Sequence, residues 1–449
     1  MNFARYRRYK ASGVEWLGDV PEHWAIPQIK RTTYLKARVG WKGLTSEEFR
    51  DNAFAYLVTG SDFRGKFVEW DKCYQVERDR YEDDPFIQLE NGDLLITKDG
   101  TIGKLAIVSG LDRPACLNSG IFVARPRNTY GSAFMYWILS SRVFSVFCDL
   151  ESFGCTINHL YQNVFERFAF PAPPESEQTV IAEFLDRETA KIDGLVAEQR
   201  RLIELLKEKR QAVTSHAVTK GLNPHAPMKP SGIEWLGDVP AGWEVMSLKR
   251  DIDYLTSGSR GWAENYSDNG EIFIRIANLT RGTIGLDLSD IQRVAVPEGA
   301  EGSRTKVRPG DVLFSITAYL GSVAVVPDGL ETAYVSQHIA LARLRNVYLS
   351  SKWVGFVALS VVGQTWFDMK SYGGTKVQLS LDDVRDLPLP VPTLVEQDAI
   401  VDFLETELLT FDTLTAEAQR AIDLLQERRT ALISAAVAGQ IDVRQQARN

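Results

Sequence analysis

One ten-residue phrase occurs twice in this chain, and it constrains the fold more than any other feature. Ser12–Pro21 reads SGVEWLGDVP and Ser231–Pro240 reads SGIEWLGDVP, an offset of 219 residues. The same offset recurs far downstream, in Glu177-Gln178 against Glu396-Gln397, Phe184 against Phe403, and Leu205-Leu206 against Leu424-Leu425. A period this long marks a duplicated domain, not one turn of a stacked solenoid. The residues between the matched blocks are much less alike. One frame with two different inserts predicts one device addressed to two different targets. At 449 residues the chain exceeds one ordinary core, so two large domains with connectors are expected.

Each repeat opens on its tryptophan-rich block (Trp16 and Trp24, then Trp235 and Trp243). Ser-Gly, Gly-Asp and Val-Pro punctuate it, which predicts turns and a short segment anchored by buried aromatics. About 140 residues with strand-like pieces follow. Gly92–Val108 (GDLLITKDGTIGKLAIV) lies against Gly310–Val326 (GDVLFSITAYLGSVAVV): Gly-Asp, a β-rich run, a loop carrying Gly103 or Gly321, then a second β-rich run. This pattern predicts paired strands. The offset here is 218, so small insertions and deletions have accumulated in loops. Leu117–Asn128 and Val335–Asn346 read as a further strand. Ser152–Leu160 (SFGCTINHL) and Ser371–Leu379 (SYGGTKVQL) come next, and each leads to a proline-marked boundary, Phe170–Pro174 or Leu389–Pro392.

A long helix then starts in each half. Thr393-Leu-Val-Glu396 is a capping box, in which the threonine accepts from a free N–H and the glutamate reaches back. Pro174 stands opposite Thr393, a different device for starting a helix. In the first helix Leu185, Ile192, Leu206 and Val213 recur at seven-residue spacing, with Leu195 and Leu202 on the intervening positions. In the second, Leu404, Phe411, Leu425 and Leu432 repeat the series, with Leu414 between. Gln199 and Ala418 share one matched position. Sustained heptads predict a coiled coil about 40 residues, or about 60 Å, long. The two helices of one chain are natural partners, against the alternative that each packs on its own domain. Gly221 and Gly439 are the stop signals. The expected fold is α+β: two pseudo-twofold-related domains, each a mixed sheet with helices and loops, separated by two long antiparallel helices. The boundaries read 1–172, helix 173–221, 222–391, helix 392–443 and a tail 444–449.

Motifs for catalytic chemistry are mostly absent from the sequence. No GxxxxGK[ST] phosphate loop is present, and Gly100-Thr-Ile-Gly103-Lys104 lacks its spacing. There is no HExxH, and the five histidines have no metal-ligand spacing. A methyltransferase would need a glycine-rich cofactor loop and a polar-Pro-Pro-aromatic motif; Asp84-Pro85-Phe86 lacks the second proline. Asp93 and Lys98 resemble part of a nuclease centre, but Ile316 stands opposite Lys98 in the second half. The four cysteines (Cys73, Cys116, Cys148, Cys155) form no CxxC pair and all lie in the first half, which predicts reduced thiols. No apolar run approaches the roughly 20 residues of a membrane span, and no apolar leader follows the basic N-terminus, so a cytoplasmic location is expected.

What remains are polar and basic residues in the divergent loops. They are Ser61, Arg64 and Lys66 in the first half; Arg260, Arg275, Asn278 and Arg281 in the second; and Lys98, Lys104 and Lys376. Arginine and lysine pair with guanine edges or phosphates, and asparagine with adenine. Singly, each also reads as an ordinary solvated loop residue. The net charge of −8 lends no support from overall pI, but field strength depends on where charges sit.

The duplicated SG[VI]EWLGDVP block, the GD-strand-loop-G pair, the SxGxT segment and the PxPxxxEQ helix openings, repeated in one order, resemble the specificity subunit of type I restriction-modification systems. The resemblance covers nearly the whole length. It implies two target-recognition domains, each reading one half of a split, asymmetric sequence in double-stranded DNA, with the paired helices as a ruler. It implies as partners two methyltransferase subunits that bind S-adenosylmethionine and, for cleavage, ATP- and Mg-dependent translocating restriction subunits. No cofactor or metal would then belong to this chain, and the missing catalytic motifs are accounted for. A self-contained nuclease or methyltransferase, or a scaffold that binds only protein, are the competing expectations.

Overall fold

The computed structural model describes residues 3–38, 43–127, 129–151, 159–297, 299–372 and 377–445. The chain divides into two compact units: residues 1–199 with 420–449, and residues 200–419. Each unit therefore holds a segment of both long helices.

In unit 1 the larger sheet contains β1 (Thr33–Ala37), β2 (Phe63–Arg64), β3 (Phe67–Val68), β4 (Leu94–Thr97), β5 (Leu105–Ile107) and β6 (Ile121–Pro126), in the spatial order β1-β6-β4-β5-β3-β2. In unit 2, β7 (Ile252–Ser257), β8 (Val312–Ser315), β9 (Val323–Val325) and β10 (Ile339–Leu344) line up as β7-β10-β8-β9. That order repeats β1-β6-β4-β5, and every pair in it is antiparallel. A three-stranded sheet accompanies each. Ala55–Val58 pairs parallel with Ala115–Leu117, and the longer strand Tyr266–Ile274 pairs parallel with Ala333–Val335.

The central strands β4, β6, β8 and β10 are buried on both faces over most of their length, and the period of two sorts their side chains. Leu94, Ile96, Phe122 and Ala124 join a core with Phe134, Trp137 and Phe144 from the helix pair Ser132–Leu139 and Arg142–Glu151. The alternate residues Leu95, Ile121 and Val123 join a second core with Ala55, Leu57 and Cys116. Unit 2 repeats the division, with Val312, Phe314, Ala340 and Ala342 on one side and Leu313, Ile339 and Leu341 on the other. Among the described residues no single helix is long and apolar enough to cross a membrane.

Helix α1 spans Glu175–Lys220 and α2 spans Leu394–Val437, 46 and 44 residues or roughly 65–70 Å each. Gly221 (φ 74°) and Gly439 (φ 71°) follow their ends in the left-handed region that glycine enters without cost. Within unit 1, Asp193 pairs with Arg429 at 2.9 Å, while Trp24 lies beside both Glu177 and Gly439. Within unit 2, Arg210 pairs with Asp412, while Gly221 lies beside Glu396. In each unit, then, advancing along one helix retreats along the other, and the pairing is antiparallel. A shift of 219 carries Asp193 to Asp412 and Arg210 to Arg429, so the second ion pair repeats the first with the helices exchanged. Arg142 N donates to Ser434 Oγ (3.1 Å), and its counterpart Val361 N donates to Ser215 Oγ (3.0 Å).

The seven-residue series is the buried one. Leu185, Ile192, Leu206, Leu404 and Phe411 are buried, and Val213, Leu425 and Leu432 are half-buried. The intervening positions differ from the sequence expectation. Leu195, Leu202 and Leu414 are 47%, 42% and 41% exposed. The covered positions are Thr189, Val196, Ile203, Arg210 and Ala217, then Leu408, Thr415, Ile422, Arg429 and Ala436, four residues after each series member. A residue four ahead turns about 40° from the first, whereas one three ahead turns about 60° the other way. The leucines at 195, 202 and 414 attract attention by type, but their angular position faces solvent.

The capping box is half realised. Thr393 Oγ1 accepts from Glu396 N (3.3 Å), but the Glu396 carboxylate accepts from the Trp243 indole (3.0 Å). In unit 1 the chain closes on itself. Asp442 N donates to Ala4 O (2.8 Å), Tyr9 Oη donates to Gly439 O (2.9 Å), and the Tyr6 hydroxyl bonds Glu177.

Candidate functional site

Several motifs that look chemical belong to the frame. Asp93 is 1% exposed and accepts from Glu90 N (2.8 Å) and from Arg125 Nε and Nη2 (2.6 and 2.8 Å). Asp311, also 1% exposed, accepts from Arg308 N (2.7 Å) and from Arg343 Nε and Nη2 (2.8 and 2.6 Å). The hydrogen bonds that Arg125 donates to Asp93 hold the Arg125 pKa above its ordinary value. Each Gly-Asp turn is thus locked to the neighbouring strand. The Glu-Gln dipeptide is likewise structural. Gln178 accepts from Gly131 N (3.0 Å) and donates to Thr129 O (3.0 Å) and Pro173 O (2.8 Å). Gln397 accepts from Ser350 N (2.8 Å) and donates to Tyr348 O (2.7 Å) and Pro392 O (3.1 Å). Each amide uses both N–H donors and its oxygen, and each ties a helix start to its domain.

The hairpin loop is where the two units differ on one geometry. In each, the loop lies beside the end of the SxGxT segment, about 60 residues later in sequence. Asp99 bridges to His159, and Leu160 N donates to Lys98 O (2.9 Å). Thr317 bridges to Gln378, and Leu379 N donates to Ile316 O (3.0 Å). Gly100 (φ 68°) and Gly103 (φ 80°) set the turn in unit 1; Ala318 (φ 65°) and Gly321 (φ 82°) set it in unit 2. Ala318 and Asn346 are the described non-glycine residues with positive φ. A left-handed alanine costs about 1–2 kcal/mol. Its surroundings hold it there: Ala318 N donates to Val377 O (3.1 Å), Tyr319 N to Thr317 O (2.9 Å), Arg281 Nη2 to Leu320 O (2.7 Å) and Gln364 Nε2 to Gly321 O (3.2 Å).

This shared turn presents Thr101 in unit 1 and Tyr319, 63% exposed, in unit 2. Around Thr101 the chemistry is ionic. Lys98 Nζ lies 3.2 Å from Asp99, Asp99 bonds His159, and Lys104 is exposed. Around Tyr319 it is aromatic, with Tyr372 exposed and bridged to Gln378, which also bridges Thr317. Such surfaces suit contact with polar, π-rich ligands. Among the described residues no group of three His, Cys, Asp or Glu side chains is placed to hold a metal.

The basic candidates divide. Lys98 and Lys104 lie on the unit 1 loop, and Arg281 braces the unit 2 loop. Lys66 is elsewhere: its ammonium contacts Asp186 of α1 at 2.5 and 2.7 Å over the Tyr136 and Trp137 rings, so it joins sheet to helix. Asn278 is 3% exposed, accepting from Arg275 N (2.9 Å) and donating to Asp287 O (2.8 Å) and Asp290 O (2.9 Å), so its amide is turned into the fold. Arg275 pairs with Asp290 (2.9 Å) and Arg64 with Glu69 (2.9 Å). Ser61 sits 2.6 Å from Thr59 Oγ1 in a turn around Asp62, whose carboxyl burial pushes up. Arg260 is exposed. Lys376 lies outside the described residues, as do 152–158 and 373–375 of the two SxGxT segments. Tyr319, Tyr372 and His159 are not among the residues that positive charge singles out in the sequence. The signal was present in Ala318 standing opposite Gly100.

These features define a duplicated α+β protein whose two units carry matched, differently furnished loops, each unit holding a segment of both long helices. Residues 42–205 and 240–422 match the type I restriction modification DNA specificity domain. The chain belongs to that family. Relatives include the specificity subunit of the type I restriction enzyme EcoKI from Escherichia coli K12, 24% identical over 96% of this chain and 92% of that one. That of EcoBI from Escherichia coli is 24% identical over 80% and 75%. That of MjaVIII from Methanocaldococcus jannaschii is 21% identical over 95% and 94%. Among solved structures, a chain from a study of complex assembly and conformational transition of the type I R-M system matches with a TM-score of 0.71. Its identity is 17%, covering 93% of this chain and 98% of that chain. The HsdS subunit from Thermoanaerobacter tengcongensis matches with 0.52 and 17%, covering 94% and 98%. The shared fold is that of specificity subunits.

Proposed function

We propose that this chain is the non-catalytic DNA sequence-specificity subunit of a type I restriction-modification complex. Residues 1–172 and 222–391 each read one half of an asymmetric bipartite site in double-stranded DNA. The helical segments 173–221 and 392–443 set the gap and dock two methyltransferase subunits, which carry S-adenosylmethionine. Restriction subunits supply ATP- and Mg-dependent translocation and cleavage, and the complex works in the cytoplasm. The observation that carries this reading is one frame, fixed twice by the same Asp–Arg and Glu-Gln brackets, presenting two unlike loops. Loop contacts to base edges supply sequence discrimination, while phosphate contacts position the protein. A helical spacer holds two readers at a set distance and raises the effective concentration of the second once the first is bound. Because the chain is acidic (net charge −8), much phosphate neutralisation falls to the methyltransferase subunits.

The test is reconstitution with the partner methyltransferase, followed by mapping of modified bases in a randomised duplex pool. A split, asymmetric motif is the expected result. One extra heptad in each helix, about 10 Å, should widen the gap by about three base pairs and leave both half-sites intact. Methylation by this chain alone, or a complex with no two-part preference, refutes the reading.

A further inference from the structure

Resting on that reading, we propose that residue 319 and its counterpart 101 are specificity-determining residues, with the Tyr319 side chain contacting a base edge in the half-site read by unit 2. Three observations meet at this position. The turn is the same in both units, down to the left-handed residue before the tip (Gly100 at 68°, Ala318 at 65°). That conformation survives replacement of glycine by alanine, so the frame imposes it and the tip residue is free to vary. The two tips do vary: threonine in one, and in the other a tyrosine that is 63% exposed.

A large aromatic left in solvent does nothing for the core behind it. The loop backbone, by contrast, is over-determined, through Val377 O, Thr317 O, Arg281 and Gln364. A rigid base under an exposed tip is the arrangement that places a side chain reproducibly in a groove. A phenol offers one hydroxyl that both donates and accepts, and a ring face that packs on a thymine methyl. Threonine at 101 offers a hydroxyl and a methyl on a shorter arm. The two tips therefore suit different base steps, as an asymmetric target requires.

The experiment uses the reconstituted methyltransferase complex with Tyr319→Phe, Tyr319→Ala, Thr101→Val and Ala318→Gly, each selected against a randomised duplex pool, with thermal melts as the folding control. Tyr319→Ala should relax preference at one position of the unit 2 half-site and weaken binding to the parent sequence about tenfold. The other half-site should be unchanged. Tyr319→Phe should isolate the hydroxyl's share, Thr101→Val should act on the opposite half-site, and Ala318→Gly should keep the parent motif. A wild-type complex that has a split motif, with tyrosine variants that leave it unchanged within twofold, overturns the inference alone. So does an equal loss on all sequences, which marks a phosphate contact. A wild-type complex without a split motif overturns both this inference and the specificity reading.

Discussion

Replacing Arg343 with methionine tests the frame directly. Asp311 is 1% exposed, and its two oxygens face Arg343 and the Arg308 N–H. Methionine keeps the unbranched stem over the Tyr254 ring, where the guanidinium carbon now lies 5.6 Å from the centroid. It removes the charge and both bonds. A buried ion pair adds little over an apolar pair, but breaking one side strands a desolvated charge and costs about 3–5 kcal/mol. For a unit of this size that lowers the melting temperature by roughly 6–20 °C. Asp311→Asn combined with Arg343→Met should recover most of the loss, since asparagine still accepts from Arg308 N. The matched Arg125→Met should cost less, because the Arg125 side chain is 30% exposed against 18% for Arg343. Thermal melts with hydrogen exchange read by mass spectrometry assign each loss to its unit. A loss under about 1 kcal/mol for Arg343→Met, or a double variant no better than the single, refutes the reasoning.

The helix register gives a contrasting pair: Ile192→Ala should cost about 2–5 kcal/mol, while Leu195→Ala should stay within about 0.5 kcal/mol, and urea unfolding separates them. Gly439→Ala should destabilise more than Gly221→Ala. Both pay the left-handed penalty, but a Cβ at 439 meets Pro21 Cδ at 2.4 Å, whereas at 221 the nearest atom, on Trp243, is 3.2 Å away; melting temperatures rank the two. Burial pushes the Cys73 and Cys148 thiols up to about 12 and Cys116 up to about 11. In a Cys155→Ser background, alkylation at pH 8 should therefore be at least about a hundredfold slower in the folded chain than in the unfolded one, because only the thiolate reacts.

The duplication made the architecture legible before any coordinates. Hydrophobic runs bounded by Gly-Asp located β4, β5, β8 and β9, and the seven-residue series located the covered stripe of both long helices. What misled was residue type taken without angle, as at Leu195, Leu202 and Leu414. The site was less readable because charge alone does not say where a side chain goes. Lys66 and Asn278 look available in sequence, yet Asp186 claims one and three backbone groups claim the other. The brackets at Asp93–Arg125 and Gln178 depend on contacts 32 to 49 residues apart in sequence, which no local pattern encodes.

The closure of unit 1 by the last stretch of the chain has a consequence for synthesis. Residues 200–419 form an uninterrupted unit, so a ribosome releases everything unit 2 needs while unit 1 still lacks Arg429, Ser434, Gly439 and Asp442. The half that is translated second is thus complete first, and a nascent protein stopped short of its final turn of α2 would hold one finished reader and one waiting for its latch.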